Sequence, residues 1–341
     1  MLARVSAALL GAVLFTGAAS AQETTIKFKL GWTTQGSDAA FFVAKDNGYF
    51  KEEGLNVVID KGNGSGATVT HIMSGAYDAG FGDVNAIIQN ASTKPEEAPV
   101  MVYMIWNQPP FAIVTKKSSG INTIKDFEGR TLGGAQGTPT TRLLPVFVNK
   151  NKLEGEKIKI SNMAPNLQEP MLIKGDIDAA LVFNITSYFN LVLNNQDPDK
   201  DYRWFSFGDY GMDLYSNGVM VSRKLLTSNP KAVAGLVRAI NKGMMAVAKD
   251  QGAGIKAALN FDNQINADVE KRRLQFSFDK LIVSPEMKEI GVGDVKDERM
   301  KRAIGIVVEG YQLTRAPAPS EIFSREFLPP KAERELVYTA N

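Results

Sequence analysis

The sequence has 341 residues, 44% hydrophobic and 22% charged, with a formal net charge of +2. That length suits about two domains, and the near-neutral balance excludes a strongly electrostatic binder of nucleic acid or anionic membrane. With no cysteine and one histidine, His71, the chain has no disulfide scaffold, no thiolate nucleophile, no Cys metal site and no pair of catalytic histidines.

Residues 1–21 combine one positive charge, Arg4, an apolar run over 5–15 and the small-residue end Ala19, Ser20, Ala21. This is the pattern of a secretory signal peptide, and the run is shorter than the roughly 20 residues a membrane-spanning helix needs. With no cysteine behind it there is no lipid anchor, so a free exported chain starting near Gln22, periplasmic in a bacterium, is expected. Alternation over 26–30 then predicts a strand, followed by a polar loop over 32–38 and a helix that Gly48 stops. A strand over 55–59, a glycine-rich loop over 62–66 and a helical face through Val69, Ile72, Met73 and Ala76 come next. A short strand over 79–82, a helix over 84–89 and a strong strand over 100–105 complete the first series. Gln108, Pro109 and Pro110 break the pattern, and a strand over 111–115 opens a second series. It holds strands over 131–134, 158–161, 178–183 and 202–207 and helices over 140–150, 167–174 and 186–194. A buried strand over 218–221 precedes helices over 230–249, 254–259, 267–278 and 296–313, and the tail over 316–330 is proline-rich.

Repeated strand–loop–helix units argue for α/β sheets covered by helices on both faces. Two such halves followed by helices predict a bilobal protein whose chain crosses between lobes near Ala112 and Asn217. Residues 22–111 and 218–341 then form one lobe, and residues 112–217 the other. The cleft between them is the expected small-molecule site.

Four stretches stand in order along the chain: AKDNGYFKEEGLNV at 44–57, MSGAYDAGFG at 73–82, IKDFEGRTLG at 124–133 and IKGDIDAA at 173–180. Behind a signal pattern they resemble the NMT1/THI5-like solute-binding proteins of ABC importers. That family includes binders of nitrate, alkanesulfonates, taurine and thiamine-precursor pyrimidines. The resemblance implies a type II periplasmic-binding-protein fold: two mixed, mostly parallel sheets flanked by helices, with two interlobe crossovers.

Ligands bind outside the carboxyl ends of strands in such sheets, where loops lead into helix N-termini. In the first half those loops offer Trp32, Ser37, Asp38, Ser65 and Asp83; in the second they offer Gln136, Thr138, Phe183 and Asn184. Ser37, Asp38, Ser65 and Thr138 are each a helix cap or a ligand contact, with capping favoured for Asp38. Trp32 and Phe183 either stack on a flat ligand or cover a sheet edge. Tyr215, just before the second crossover, is in reach of the cleft. Many sulfonate- and nitrate-binding relatives carry Trp-Asp/Glu-Pro where this chain has Phe183, Asn184 and Ile185. Uncharged Asn184 together with Asp38 and Asp83 disfavours an anion and leans towards a neutral or amine-bearing heteroaromatic ligand. Asp78 and Asp178 are turn stabilisers, and His71, Met244 and Met245 structural.

The resulting expectation is a small-molecule-binding protein, not an enzyme. It hands its ligand to an ABC permease/ATPase complex in the inner membrane. It acts as a monomer, with no cofactor, no metal and no nucleic-acid partner. The alternatives are an exported sensor docking on a receptor, and an enzyme like those of thiamine-pyrimidine synthesis.

Overall fold

Strand β1 (Thr24–Lys29) alternates exposed and buried side chains and lies between β2 (Leu55–Asp60) and β3 (Ala79–Asp83), parallel to both. A computed structural model of the chain describes residues 23–338, so the signal pattern at 1–21 lies outside the described residues. Helices α1 (Ala39–Asp46), α2 (Tyr49–Glu52), α3 (Ser65–Met73) and α4 (Val84–Thr93) connect these strands and lead to β4 (Val100–Met104). The chain then crosses to the second half through 105–110. There β5 (Phe111–Lys116), β6 (Thr131–Gly134), α5 (Pro139–Lys150), β7 (Lys159–Asn162), α6 (Gln168–Lys174), β8 (Ala179–Phe183), α7 (Asn184–Leu193) and β9 (Tyr202–Ser206) follow. It returns through 207–216 to β10 (Asn217–Val221) and ends in α8 (Arg223–Ser228), α9 (Pro230–Lys249), α10 (Gln251–Phe261), α11 (Ala267–Ser277), a π-helical turn at Phe278–Ile282, α12 (Pro285–Ile290), α13 (Asp297–Gly310) and α14 (Pro319–Ile322).

The two sheets share one plan. Sheet A runs β2-β1-β3-β10-β4 and sheet B runs β7-β6-β8-β5-β9. In each, the strand that arrives from the other half, β10 or β5, inserts antiparallel between two resident strands. Both are buried along almost their whole length, which their apolar stretches, GVMV in β10 and FAIV in β5, permit. The fold is therefore bilobal, with mixed sheets flanked by helices. The aspartates directly before β3 and β8 are structural: Asp78 accepts from the Lys27 N–H at 2.9 Å and Asp178 from the Thr131 N–H at 2.8 Å.

Side-chain caps decide where the C-terminal helices break. Asn229, Asp250, Asn266 and Ser284 each accept the backbone N–H three residues on, opening α9, α10, α11 and α12. Amphipathic α9 packs on α1 so closely that a Cβ on Gly243 would stand 2.2 Å from the Ala40 carbonyl oxygen. Sheet A and these helices enclose one apolar core; a second runs between α4, α5 and α13 and joins the two halves. Among the described residues no helix is long and apolar enough to cross a membrane.

Candidate functional site

A cavity opens between the sheets at the carboxyl ends of β1, β3 and β8. Sheet A and its loops contribute Gly31, Trp32, Gln35, Asp38, Ser65, Phe81 and Asn217. Sheet B contributes Thr138, Pro139, Leu181, Val182 and Phe183. The first turn of α6 adds Gln168 and Glu169, that of α7 adds Thr186 and Ser187, and the first crossover adds Trp106. Phe81, Trp106 and Phe183 form an aromatic wall, with Trp106 edge-on to Phe81 at 5.1 Å and to Phe183 at 5.9 Å.

Two buried carboxyls face this space from opposite halves. Asp38 accepts the Gln35 N–H at 3.1 Å; burial pushes its carboxyl up to about 7, the Glu270 charge adding to the rise and Gln35 and Arg273 opposing it. Glu169, also buried, accepts from the Ser187 hydroxyl. Two buried donors, Trp106 Nε1 and Ser65 Oγ, have no hydrogen-bond partner. Such groups are costly unless something supplies the missing bond. No Lys, Arg or His lines the cavity. Among the described residues no group of three or more His, Asp or Glu converges to hold a metal ion.

The halves meet at the cavity rim. Ala67 N–H donates to the Gly137 carbonyl at 3.2 Å, Arg142 Nη1 to the Gly66 carbonyl at 3.1 Å, and Gln35 Nε2 to Thr186 Oγ1 at 3.3 Å.

Of the residues the sequence pointed to, Trp32, Asp38, Ser65, Thr138 and Phe183 come together in the lining. Asp38 closes the short turn at Gly36–Asp38 and makes no cap bond to α1. The Thr138 hydroxyl donates to the Ala135 carbonyl at 2.8 Å instead of capping α5. The other five lie outside it. Ser37 is buried with its hydroxyl unpartnered, and Gln136 is exposed at the rim. Asn184 begins α7, its N–H given to the Pro110 carbonyl at 2.8 Å. Asp83 caps α4 through the Ala86 N–H at 3.2 Å and is pushed up to about 6, chiefly by burial. It lies apart from the cavity, beside Arg142 and Tyr311. Tyr215 faces away from the cleft: its hydroxyl donates to Glu286 and accepts the Lys296 N–H at 2.9 Å, because α12 and α13 cover the crossovers on that side.

Gln35 and Thr186, within loops expected to face the cleft, line the cavity as well, together with Phe81, Trp106, Gln168, Glu169, Ser187 and Asn217, which no sequence pattern singled out. Glu169 and Ser187 sit in first turns of helices whose pattern is ordinary. Trp106 had a usable signal, an aromatic directly after a buried strand and before the break at Pro109 and Pro110.

The family model described as "NMT1/THI5 like" matches residues 36–253. The chain is 21% identical over 261 residues to the 4-amino-5-hydroxymethyl-2-methylpyrimidine phosphate synthase of Schizosaccharomyces pombe, covering 74% of each protein. It superposes on the alkanesulfonate-binding protein SsuA of Xanthomonas axonopodis pv. citri bound to MOPS with a TM-score of 0.66 at 15% identity, over 88% of this chain and 96% of that one. The periplasmic aliphatic sulphonate binding protein SsuA of Escherichia coli gives a TM-score of 0.62 at 13% identity, over 86% and 94%. These likenesses establish the fold.

The expectation that the chain is not an enzyme is corrected here. The Schizosaccharomyces pombe relative is named as a synthase, and the name recurs on other curated relatives. The composition argument excluded thiol and paired-imidazole chemistry only; Asp38, Glu169 and Ser187 are groups that take and give protons.

Proposed function

The chain belongs to the NMT1/THI5-like family, and on that premise we propose that it captures a small, flat, nitrogen-bearing organic molecule of the aminopyrimidine class between its two sheets. One observation carries the reading: unpartnered donors on Trp106 and Ser65 share an enclosed space with two buried carboxyls and no cation. A 4-aminopyrimidine offers a ring nitrogen to the donors and an amino group to the carboxyls, while Trp32 and Phe183 flank its faces. A sulfonate offers only acceptors and negative charge, which a lining with two buried carboxyls and no Lys, Arg or His disfavours. The ring appears in the names of the curated relatives.

The protein acts as the exported binding component of an ABC importer, presenting its ligand to a permease/ATPase complex in the inner membrane. Support comes from the binding-protein neighbours and from the signal pattern at 1–21. Residues 22–111 with 218–341 move as one lobe and 112–217 as the other, closing about the two crossovers. The relatives' names favour a second reading, a pyrimidine synthase working in the same cavity, where Asp38 is placed to exchange a proton with the ligand.

A thermal-shift screen of the exported chain against aminopyrimidines, alkanesulfonates, nitrate and simple amines tests the proposal. Ligand at 100 times Kd adds about 2.7 kcal/mol of stability. Aminopyrimidines are expected to give that shift, and a shift with alkanesulfonates alone would overturn the reading. Mass spectrometry of the recovered ligand separates the roles: intact ligand supports delivery, converted ligand the synthase.

A further inference from the structure

Arg273 on α11 is a cation only 2% exposed, and it does not line the cavity. Its Nε donates to Glu270 Oε2 at 2.9 Å, and that same oxygen accepts the Gly36 N–H at 2.6 Å. Gly36 lies between Gln35 and Asp38, in the sheet A wall of the cavity. On its other side Arg273 Nη1 donates to the carbonyls of Ile185 at 2.8 Å and Thr186 at 3.1 Å, in the first turn of α7. Its guanidinium also stands 5.2 Å from the centre of the Phe189 ring. One ion pair thus grips the main chain of both cavity walls.

A buried pair of this kind is retained only where its hydrogen bonds are complete, because both charges lose water. Parting the walls returns both to solvent and gives up the bonds to Ile185, Thr186 and Gly36. We propose that Arg273, working through Glu270, is the positioning residue of the cleft: it sets the turn at Gly36–Asp38 against Thr186 and holds the closed form. The proposal rests on the reading of the cavity as a ligand site, and its first readout uses no ligand.

The chain has no cysteine, so exposed Lys51 and Lys200, one on each half, are convertible to the only two thiols and spin-labelled. Pulsed dipolar spectroscopy of the ligand-free chain is expected to give one closed separation for the parent. Arg273→Met adds a second, open population, and Arg273→Lys, unable to span both walls, gives a smaller one. Glu270→Gln keeps an acceptor for Gly36 without the charge and also opens the cleft, so the test survives if Arg273→Met does not fold. Folded variants with the parent's distance distribution would overturn the proposal. In a second arm, with 4-amino-5-hydroxymethyl-2-methylpyrimidine as probe, Arg273→Met is expected to speed dissociation about tenfold or more, with association unchanged or faster. Slower association with unchanged dissociation contradicts the latch. A parent that does not bind the probe counts against the aminopyrimidine reading, and the distance measurement still decides the latch.

Discussion

Replacing Asp38 by Asn removes a buried carboxyl while keeping an acceptor for the Gln35 N–H. The Asp38 carboxyl rises from its ordinary 3.8 to about 7, chiefly through burial. A folded value above the unfolded one means that the folded chain holds the proton more tightly. The contribution of Asp38 to stability is therefore fully present below about pH 4 and is lost as pH climbs through the folded value. A rise of about three units corresponds to about 4 kcal/mol in full, of which roughly 2–3 kcal/mol falls between about pH 5 and pH 8. Urea unfolding of the parent and Asp38→Asn at those two pH values measures it. The parent should lose about 2–3 kcal/mol more than the variant across the interval. Asp83, pushed up to about 6, acts with the same sign in both proteins and cancels from the comparison. Equal losses in the two proteins would refute the assignment of a buried, neutral-at-acid-pH Asp38.

Three further changes probe other parts of the account. Glu169→Gln should weaken aminopyrimidine binding by about 1.5–3 kcal/mol in calorimetry, the range for a hydrogen bond to a charged group, with alkanesulfonate binding not weakened. Gly64 has a φ of +151°, and a Cβ there would stand 2.4 Å from the Gly137 carbonyl oxygen across the cleft. Gly64→Ala should hold the rims apart and weaken ligand binding about tenfold, while circular dichroism shows a folded chain. Arg299 on α13 binds Asp213 at 2.8 Å, Glu286 at 3.3 Å, the Leu214 carbonyl at 2.9 Å and Asn107 Oδ1 at 3.3 Å. It thereby staples both crossovers to the C-terminal helices. Arg299→Met should cost about 3 kcal/mol in urea unfolding by taking away the counter-charge of half-buried Glu286 and the donor to the Leu214 carbonyl.

Much of the fold was legible because its signals are local. The short apolar stretches Phe111–Val114 and Gly218–Val221, bounded by polar and turn residues, fit strands buried on both faces. The proline break at 109–110 marks the first crossover. The pairing of β5 and β10 into antiparallel positions leaves no mark in either strand, since register with a distant partner is a tertiary property. The site was legible where a loop carries an unusual residue, as at Trp32, Asp38 and Phe183. Glu169 and Ser187 escaped because a polar residue in the first turn of a helix looks the same whether it faces solvent or a cleft. Tyr215 was expected near the cleft from its place beside a crossover, but a crossover has two sides, and Glu286 and Lys296 occupy the other one.

The most direct trial of the central claim is a crystal structure of the exported chain grown with 4-amino-5-hydroxymethyl-2-methylpyrimidine. The ring is expected between Trp32 and Phe183, with its amino group on Asp38 or Glu169 and a ring nitrogen on Trp106 Nε1 or Ser65. A ring lodged elsewhere, or a cavity that accepts only a sulfonate, would contradict the claim.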